Sequence, residues 1–300
     1  MPNSEMNAES WALMVALSVL WGASFFFAAV VVTELPPFTS ALLRVAIAAA
    51  LLLPVHVIVI GRLPAGLWVS FLVMGVLNNV VPFSLVLTSQ QTLPSGLASV
   101  LNATTPLFTV LVMAAANEEK LAARRLAGIV VGVAGVALLT GLGGDALQAR
   151  AADALLCLGA AFSYGLAALW GRRRLSRVAP LSSATCQLMC SSLVLLPIVG
   201  AIDQPWRLAS PSPTIWLAIL GFAALSTAAA YIVFFMILVR SGASNVMLVT
   251  LLIPVTSIGL GVLVLGESLE PHEIIGALVI AGSLLIIDGR LFAAAPAPRR

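Results

Sequence analysis

Leu265-Gly266-Glu267-Ser268-Leu269, followed by Gly276 and Gly282 in an apolar run, decides the fold, because it repeats a pattern the chain has already used. The earlier version is Glu119-Lys120-Leu121 and then Gly128, and in both versions the glutamate and the glycine are nine residues apart. Working outward, Trp68, Pro106, Glu119 and Gly128 recur as Trp216, Pro254, Glu267 and Gly276, each 148 residues on. Pro37, Arg44 and Pro54 recur as Pro180, Gln187 and Pro197 at an offset of 143 residues. Ser95-Gly96 parallels Ser241-Gly242 with a two-residue slip, and Trp21-Gly22-Ala23-Ser24 aligns with Phe162-Ser163-Tyr164-Gly165. The chain thus reads as two copies, 1–147 and 148–300.

Hydropathy places ten apolar runs at about 12–32, 38–60, 66–88, 94–116, 126–142, 153–171, 181–202, 214–238, 243–265 and 273–291. Each is close to the roughly 20 residues a helix needs to cross a bilayer. Five spans per copy is an odd number, so the second copy must enter the membrane inverted. The expected fold is an all-α polytopic membrane protein of ten transmembrane helices in two inverted five-helix repeats. In such proteins the substrate site lies where the repeats meet.

Composition agrees: of 300 residues, 61% are hydrophobic and 9% charged, against about 25% charged in a soluble domain. The net charge of +3 sits in short loops between apolar runs, which argues against nucleic acid as a partner. Cys157, Cys186 and Cys190 fall inside apolar runs with no metal-ligand spacing around them, so they read as packing residues, and no metal or other cofactor is expected. The stretch from Met1 to Ser10 has two glutamates and no basic residue, unlike a secretory leader, so the first run reads as a retained span.

Arginine counting sets the orientation. With the N-terminus in the cytoplasm, the inside holds Arg62, Lys120, Arg124, Arg125, Arg172, Arg173, Arg174, Arg177, Arg240, Arg290, Arg299 and Arg300, which is twelve. The outside holds only Arg150 and Arg207. Both termini are therefore expected in the cytoplasm.

Polar side chains inside hydrocarbon are costly unless they face protein or a watery cavity, so they point to a pathway. On these spans they are Ser24, Asn78, Asn79, Asn102, Thr104, Thr105, Ser163, Tyr164, Ser226, Thr227, Tyr231 and Thr256. Ser and Thr often bond back to their own helix, and Asn can tie helices together. The adjacent amides of Asn78 and Asn79 are the strongest candidates, since an amide pair accepts from an ammonium and donates to a carboxylate. Trp21 and Tyr164 occupy paired positions in the two copies, as do Phe83 and Tyr231; aromatic rings there either wall a cavity or pack against neighbours. Arg44 is the one permanent charge well inside a span, a placement that costs roughly 2.5–3.5 kcal/mol on insertion scales. It bonds a loop carbonyl or a carboxylate such as Glu34, or it meets a substrate carboxylate or serves a gate. Pro106 and Pro254 are repeat partners and predict matching bends, either static or used in rocking. Gly128 and Gly132 form a small face for close helix packing within the protein or at a dimer contact.

These residues resemble the drug/metabolite transporter superfamily in its ten-span EamA branch. The marks are the aromatic-glycine step Trp21-Gly22 and the Gly-Glu-x-Leu step closing a copy, as at Leu265–Leu269. The first copy departs from the pattern, with Glu118 where the glycine would stand. The resemblance implies a bacterial inner-membrane exporter of amino acids and related small metabolites, acting by alternating access as a monomer or weak homodimer in the lipid bilayer. Small multidrug exporters of the superfamily exchange protons on a central glutamate, and no Asp or Glu lies mid-span here, so uniport or weak coupling is expected. Proton-coupled drug transport, or transport of sugar-type or nucleotide-sugar metabolites, is the alternative; the latter would want several mid-depth cations, and only Arg44 is available. An intramembrane enzyme would need a catalytic dyad at shared depth, an ATPase a Gly-x-x-x-x-Gly-Lys phosphate loop, and a channel a ring of repeated polar residues; none is evident. The expected substrate-binding set is Trp21, Ser24, Asn78, Asn79, Asn102, Ser163, Tyr164, Thr227 and Tyr231, with Arg44, Pro106 and Pro254 in gating or structural roles.

Overall fold

The computed structural model describes residues 8–140, 145–241 and 249–288. Within them run ten helices. They are α1 (Ala8–Val31), α2 (Pro37–Val59), α3 (Trp68–Ser89), α4 (Ser95–Ala115) and α5 (Ala123–Leu139), then α6 (Asp145–Trp170, extended by Gly171–Leu175), α7 (Pro180–Ile202), α8 (Pro213–Ala223 through Ala230–Ser241), α9 (Val249–Leu265) and α10 (Pro271–Asp288). Eight are long and apolar enough to cross a membrane; α5 and α9, at 17 residues each, sit at the short limit of roughly 17 residues. Large apolar side chains such as Ile58, Val69, Leu263 and Leu278 face outward, as lipid-facing residues do.

Prolines open α2, α7, α8 and α10, where the missing N–H has no partner to lose. At the far end of α9, Gly266 takes a left-handed φ of 68°. That turns the chain so that the Glu267 N–H reaches back six residues to Gly261 O at 3.0 Å, closing the end of the helix. The Gly-Glu-x-Leu step is thus a helix stop that aims a carboxylate. The earlier motif stops its helix in a related way: Asn117, at φ 57°, takes the left-handed position one residue ahead of the one that matches Gly266, and Glu118 and Glu119 N–H both donate to Met113 O. The missing glycine has changed the turn's residue and kept a left-handed step at the helix end.

The helices pair in a regular way. α2 packs on α7, α4 on α9, and α5 on α10, each helix against the one five places along the chain. α1 packs on α8 and α9, and α6, five places on, packs on α3 and α4. Single contacts follow the same offsets. A Cβ at Gly22 would meet Thr256 Cβ at 2.5 Å, and one at Gly165 would meet the Phe108 backbone at 3.1 Å. Gly165 follows Gly22 by 143 residues and Thr256 follows Phe108 by 148. The aromatic-glycine step therefore has a packing cause: glycine lets α1 touch α9. Gly128, Gly132, Gly135 and Gly276 bring α5 and α10 together in the same way, with a Cβ at Gly135 only 2.8 Å from Ile280 Cγ1.

Two features differ from the sequence reading. α6 begins at Asp145 rather than near 153, because its first turns are polar and a hydropathy scan sees only the apolar part. The expected matching bends are unequal. Ahead of Pro106, α4 breaks between Ser95–Asn102 and Thr105–Ala115. The Asn102 carbonyl that Pro106 cannot serve takes the Thr105 hydroxyl at 2.7 Å, and Thr104 Oγ1 bonds Leu101 O at 2.6 Å. Pro254 has no threonine just before it, and α9 runs through it unbroken. Of the motif Ser241-Gly242, Gly242 lies outside the described residues.

The two ends of the bundle differ in charge. At one end Glu118 and Glu119 pair with Arg172, Arg173 and Arg125, and Glu9 with Arg240. At the other, carboxylates bond helix starts. Asp203 takes Thr39 N and Oγ1 at 2.6 and 2.7 Å, and Glu34 takes Ser212 N and Oγ at 2.7 and 2.8 Å. Glu267 takes Ser95 N, Ser95 Oγ and Gly96 N at 2.7, 2.9 and 3.3 Å. Asp153 accepts from Thr92.

Candidate functional site

Midway along α3 and α8 the helical bonding widens into π-helical turns, Val76–Val80 and Ala224–Ala229. Val76 and Ala224 are 148 residues apart, so the turns occupy matching places. A π-turn inserts one residue, loosens the backbone bonding and is often found at functional sites. Here the first turn carries Asn78 and Asn79 and the second carries Ser226 and Thr227. Side chains take up the loosened carbonyls: Ser163 Oγ donates to Leu77 O at 2.7 Å, Ser191 Oγ to Gly75 O at 3.1 Å, and Thr227 Oγ1 to Phe222 O at 3.0 Å.

The two turns meet a polar cluster between α2 and α7. Asn78 Nδ2 donates to Gln187 Oε1 and to the Tyr231 hydroxyl, both at 3.1 Å. Tyr231 in turn donates to Asn79 Oδ1 at 3.3 Å, and Asn79 Nδ2 to Ser191 Oγ at 3.0 Å. Arg44 Nε donates to Thr227 Oγ1 at 2.9 Å, while its Cζ lies 3.7 Å from the Phe83 ring centroid and 4.1 Å from that of Phe222. Tyr164 and Tyr231 pack on the same apolar core as Phe83 and Phe222. Each hydrogen bond between side chains of this cluster joins a residue before 148 to one after it. A Cβ at Gly75 would stand 2.7 Å from Gln187 O, so glycine is what lets α3 approach α7 here.

Of the residues picked from sequence, Arg44, Asn78, Asn79, Tyr164, Thr227 and Tyr231 come together. Ser163 borders the cluster, its hydroxyl committed to Leu77 O. Trp21 lies in the neighbouring core and reaches the cluster only through a row of rings: Trp21 to Phe234 at 5.6 Å, Phe234 to Phe235 at 5.3 Å, Phe235 stacked on Tyr231 at 6.0 Å. Asn102 sits at the α4 break with its buried Oδ1 without a partner among the described residues, and Ser226 Oγ is in the same condition. Ser24 makes no bond into the cluster. Arg44 does not reach Glu34, whose carboxylate is taken by Ser212. Ser191 and Phe222 were missed from sequence; Gln187 and Phe83 were named there only as the repeat partners of Arg44 and Tyr231 and were left out of the expected binding set.

A cavity of about 360 Å³ lies away from this cluster, between α4, α9 and α10, lined by apolar side chains such as Leu97, Val100, Leu251 and Leu278 with Glu273 among them. Among the described residues no group of His, Cys, Asp and Glu could hold a metal ion.

The EamA-like transporter family matches the chain twice, over residues 9–141 and 152–288. The chain belongs to that family. It is a multi-pass membrane transporter, and the family places it outside the enzymes. The chain is 28% identical over 294 residues to the Escherichia coli K12 protein named "Uncharacterized inner membrane transporter YedA", covering 94% of this chain and 92% of that one. It is 25% identical over 295 residues to the Salmonella typhimurium protein named "Probable amino-acid metabolite efflux pump", covering 94% and 95%. A solved crystal structure shares the fold, with a TM-score of 0.66 at 19% identity over 96% of this chain and 98% of that one.

Proposed function

We propose that this transporter exports amino acids and related small metabolites across a bacterial inner membrane by alternating access of two inverted five-helix halves, with both termini in the cytoplasm. The observation that carries the reading is the polar cluster of Arg44, Asn78, Asn79, Gln187, Thr227 and Tyr231, drawn from both halves inside an apolar bundle. Its amides and hydroxyls bond one another while, among the described residues, the Nη nitrogens of Arg44 keep free donors, so a substrate binds by meeting those donors and exchanging the remaining bonds for its own. Carbonyl and hydroxyl oxygens there accept from an ammonium, and amide and guanidinium groups donate to a carboxylate. The paired helix contacts and the matching π-turns support the inverted arrangement. The name of the Salmonella relative supports the substrate class. No second copy of the chain is needed to complete the cluster, in keeping with a monomer or weak dimer.

The acidic residues of the described helices lie toward their ends, so coupling is uniport or weak. A flux driven by a pH gradient alone, at zero substrate gradient, would overturn that. The class itself is tested by uptake of a labelled amino-acid panel into proteoliposomes, with Asn79→Ala alongside. Saturable flux that the variant loses is expected. No flux from folded protein would remove the amino-acid reading, and flux undiminished in Asn79→Ala would move the site.

A further inference from the structure

Arg44 is the one cation that a described helix carries away from its ends. It is 8% exposed. A guanidinium has five N–H donors in a planar fork. Nε spends one on Thr227, and among the described residues no other hydrogen bond and no carboxylate reaches the group. The rings of Phe83 and Phe222 hold its plane and soften the charge. They accept no conventional hydrogen bond, so the two Nη nitrogens lack the acceptors that a buried cation ordinarily recruits.

We infer that the Arg44 fork is a carboxylate subsite, taking the substrate's single carboxylate in bidentate fashion. This rests on the proposed function and names the chemical class within it. A carboxylate matches the fork's two parallel donors and cancels its charge. The cluster holds one cation and no second, which fits one negative charge and not a phosphate or diphosphate. The matching place in the other half is the neutral Gln187, bonded to Asn78, so the cluster has a cationic side at Arg44 and an uncharged, oxygen-bearing side at Asn78, Asn79 and Tyr231. That polarity orients a zwitterion, its ammonium toward the amides and its carboxylate on Arg44.

The test compares acids with their amides, which keep the shape and lose the negative charge. In proteoliposomes, L-phenylalanine and L-leucine should outcompete phenylalaninamide and leucinamide by roughly tenfold to a hundredfold, the range of a charge-assisted hydrogen bond. Arg44→Gln should erase that preference while keeping residual amide flux, and a uniform loss of both would mark Arg44 as structural and overturn the inference. Because Arg44→Gln could lower folding yield, phenylacetate and phenylacetamide are also compared as stabilisers of the detergent-solubilised parent. Phenylacetate alone should raise Tm; equal effects, or none from either, overturn the subsite. Stabilisation by phenylacetate without any amino-acid flux would sink the amino-acid reading and keep the carboxylate site.

Discussion

The two ends of the bundle solve one problem in opposite ways. Both must hold carboxylates that tie the first half of the chain to the second. At the end rich in arginine, Glu118 and Glu119 pair with Arg172 and Arg173, and the partners are about half exposed at 47% and 48%. At the end with few arginines, Glu267, Asp203 and Glu34 bond the N–H and hydroxyl groups of helix starts. Helix starts carry partial positive charge and unpaired N–H donors, so they can stand in for arginine. The charge asymmetry that orients a membrane protein therefore also decides what its carboxylates bond. Exposed ion pairs contribute little and are screened by salt. Bonds to a helix start are fixed by backbone geometry and are less sensitive to salt.

The largest expected effect is at Glu267. Glu267→Ala removes three bonds to the start of α4 and should cost about 2–3 kcal/mol, read as a fall in Tm in detergent. A variant as stable as the parent would dissolve the contrast between the ends. Gly261→Ala attacks the same contact without touching the charge, since its Cβ would crowd the Glu267 carboxylate and stand 2.9 Å from Ser95 Oγ. It should lower Tm in the same direction by less. Asp203→Asn keeps the shape and loses the charge at Thr39, for about 1 kcal/mol, and the loss should be the same in low and high salt. Arg173→Ala at the basic end should shift Tm least, and the shift should vanish in ~1 M salt, where the Debye length is about 3 Å.

The smallest difference is in titration. The Arg173 guanidinium holds the Glu118 carboxyl below its ordinary value, and the Ser212 backbone N–H does the same for Glu34. A depressed folded-state value means the stabilisation is complete above the unfolded value, near 4.3, and fades as pH falls through the lower folded value. Both contacts should therefore survive mild acid. Carbon-13 titration of labelled glutamate should show high salt raising Glu118 toward its ordinary value and leaving Glu34 depressed. Equal salt responses would erase the distinction.

Much of the fold was legible because lipid imposes a length and a polarity on every span. The starts at Pro180 and Pro213 fall one residue from the expected 181 and 214. The π-turns were not legible, since hydropathy reports which side chains are apolar and says nothing of which carbonyl a given N–H reaches. The unequal bends at Pro106 and Pro254 turn on two threonine hydroxyls, a detail below the reach of proline counting. Within the site, Asn78, Asn79 and Tyr231 stood out as polar groups at mid-depth, and the structure brings them together. The partner of Arg44 escaped because it was sought nearby, at Glu34, whereas Thr227 is 183 residues away in sequence. Only the spatial meeting of α2 with α8 supplies it.

The π-turns also bear on ancestry. An α-helix advances about 100° per residue, so removing one residue from Val76–Val80 would swing Phe83 and the rest of α3 about a quarter of a circle away from Arg44. On the duplication hypothesis, an extra residue at the same place in both halves is most simply an insertion older than the doubling, inherited twice. Restoring a plain α-helix by deleting Val76 should then leave a protein that still inserts its spans but no longer transports, and a deletant with full flux would show the insertion to be a passenger.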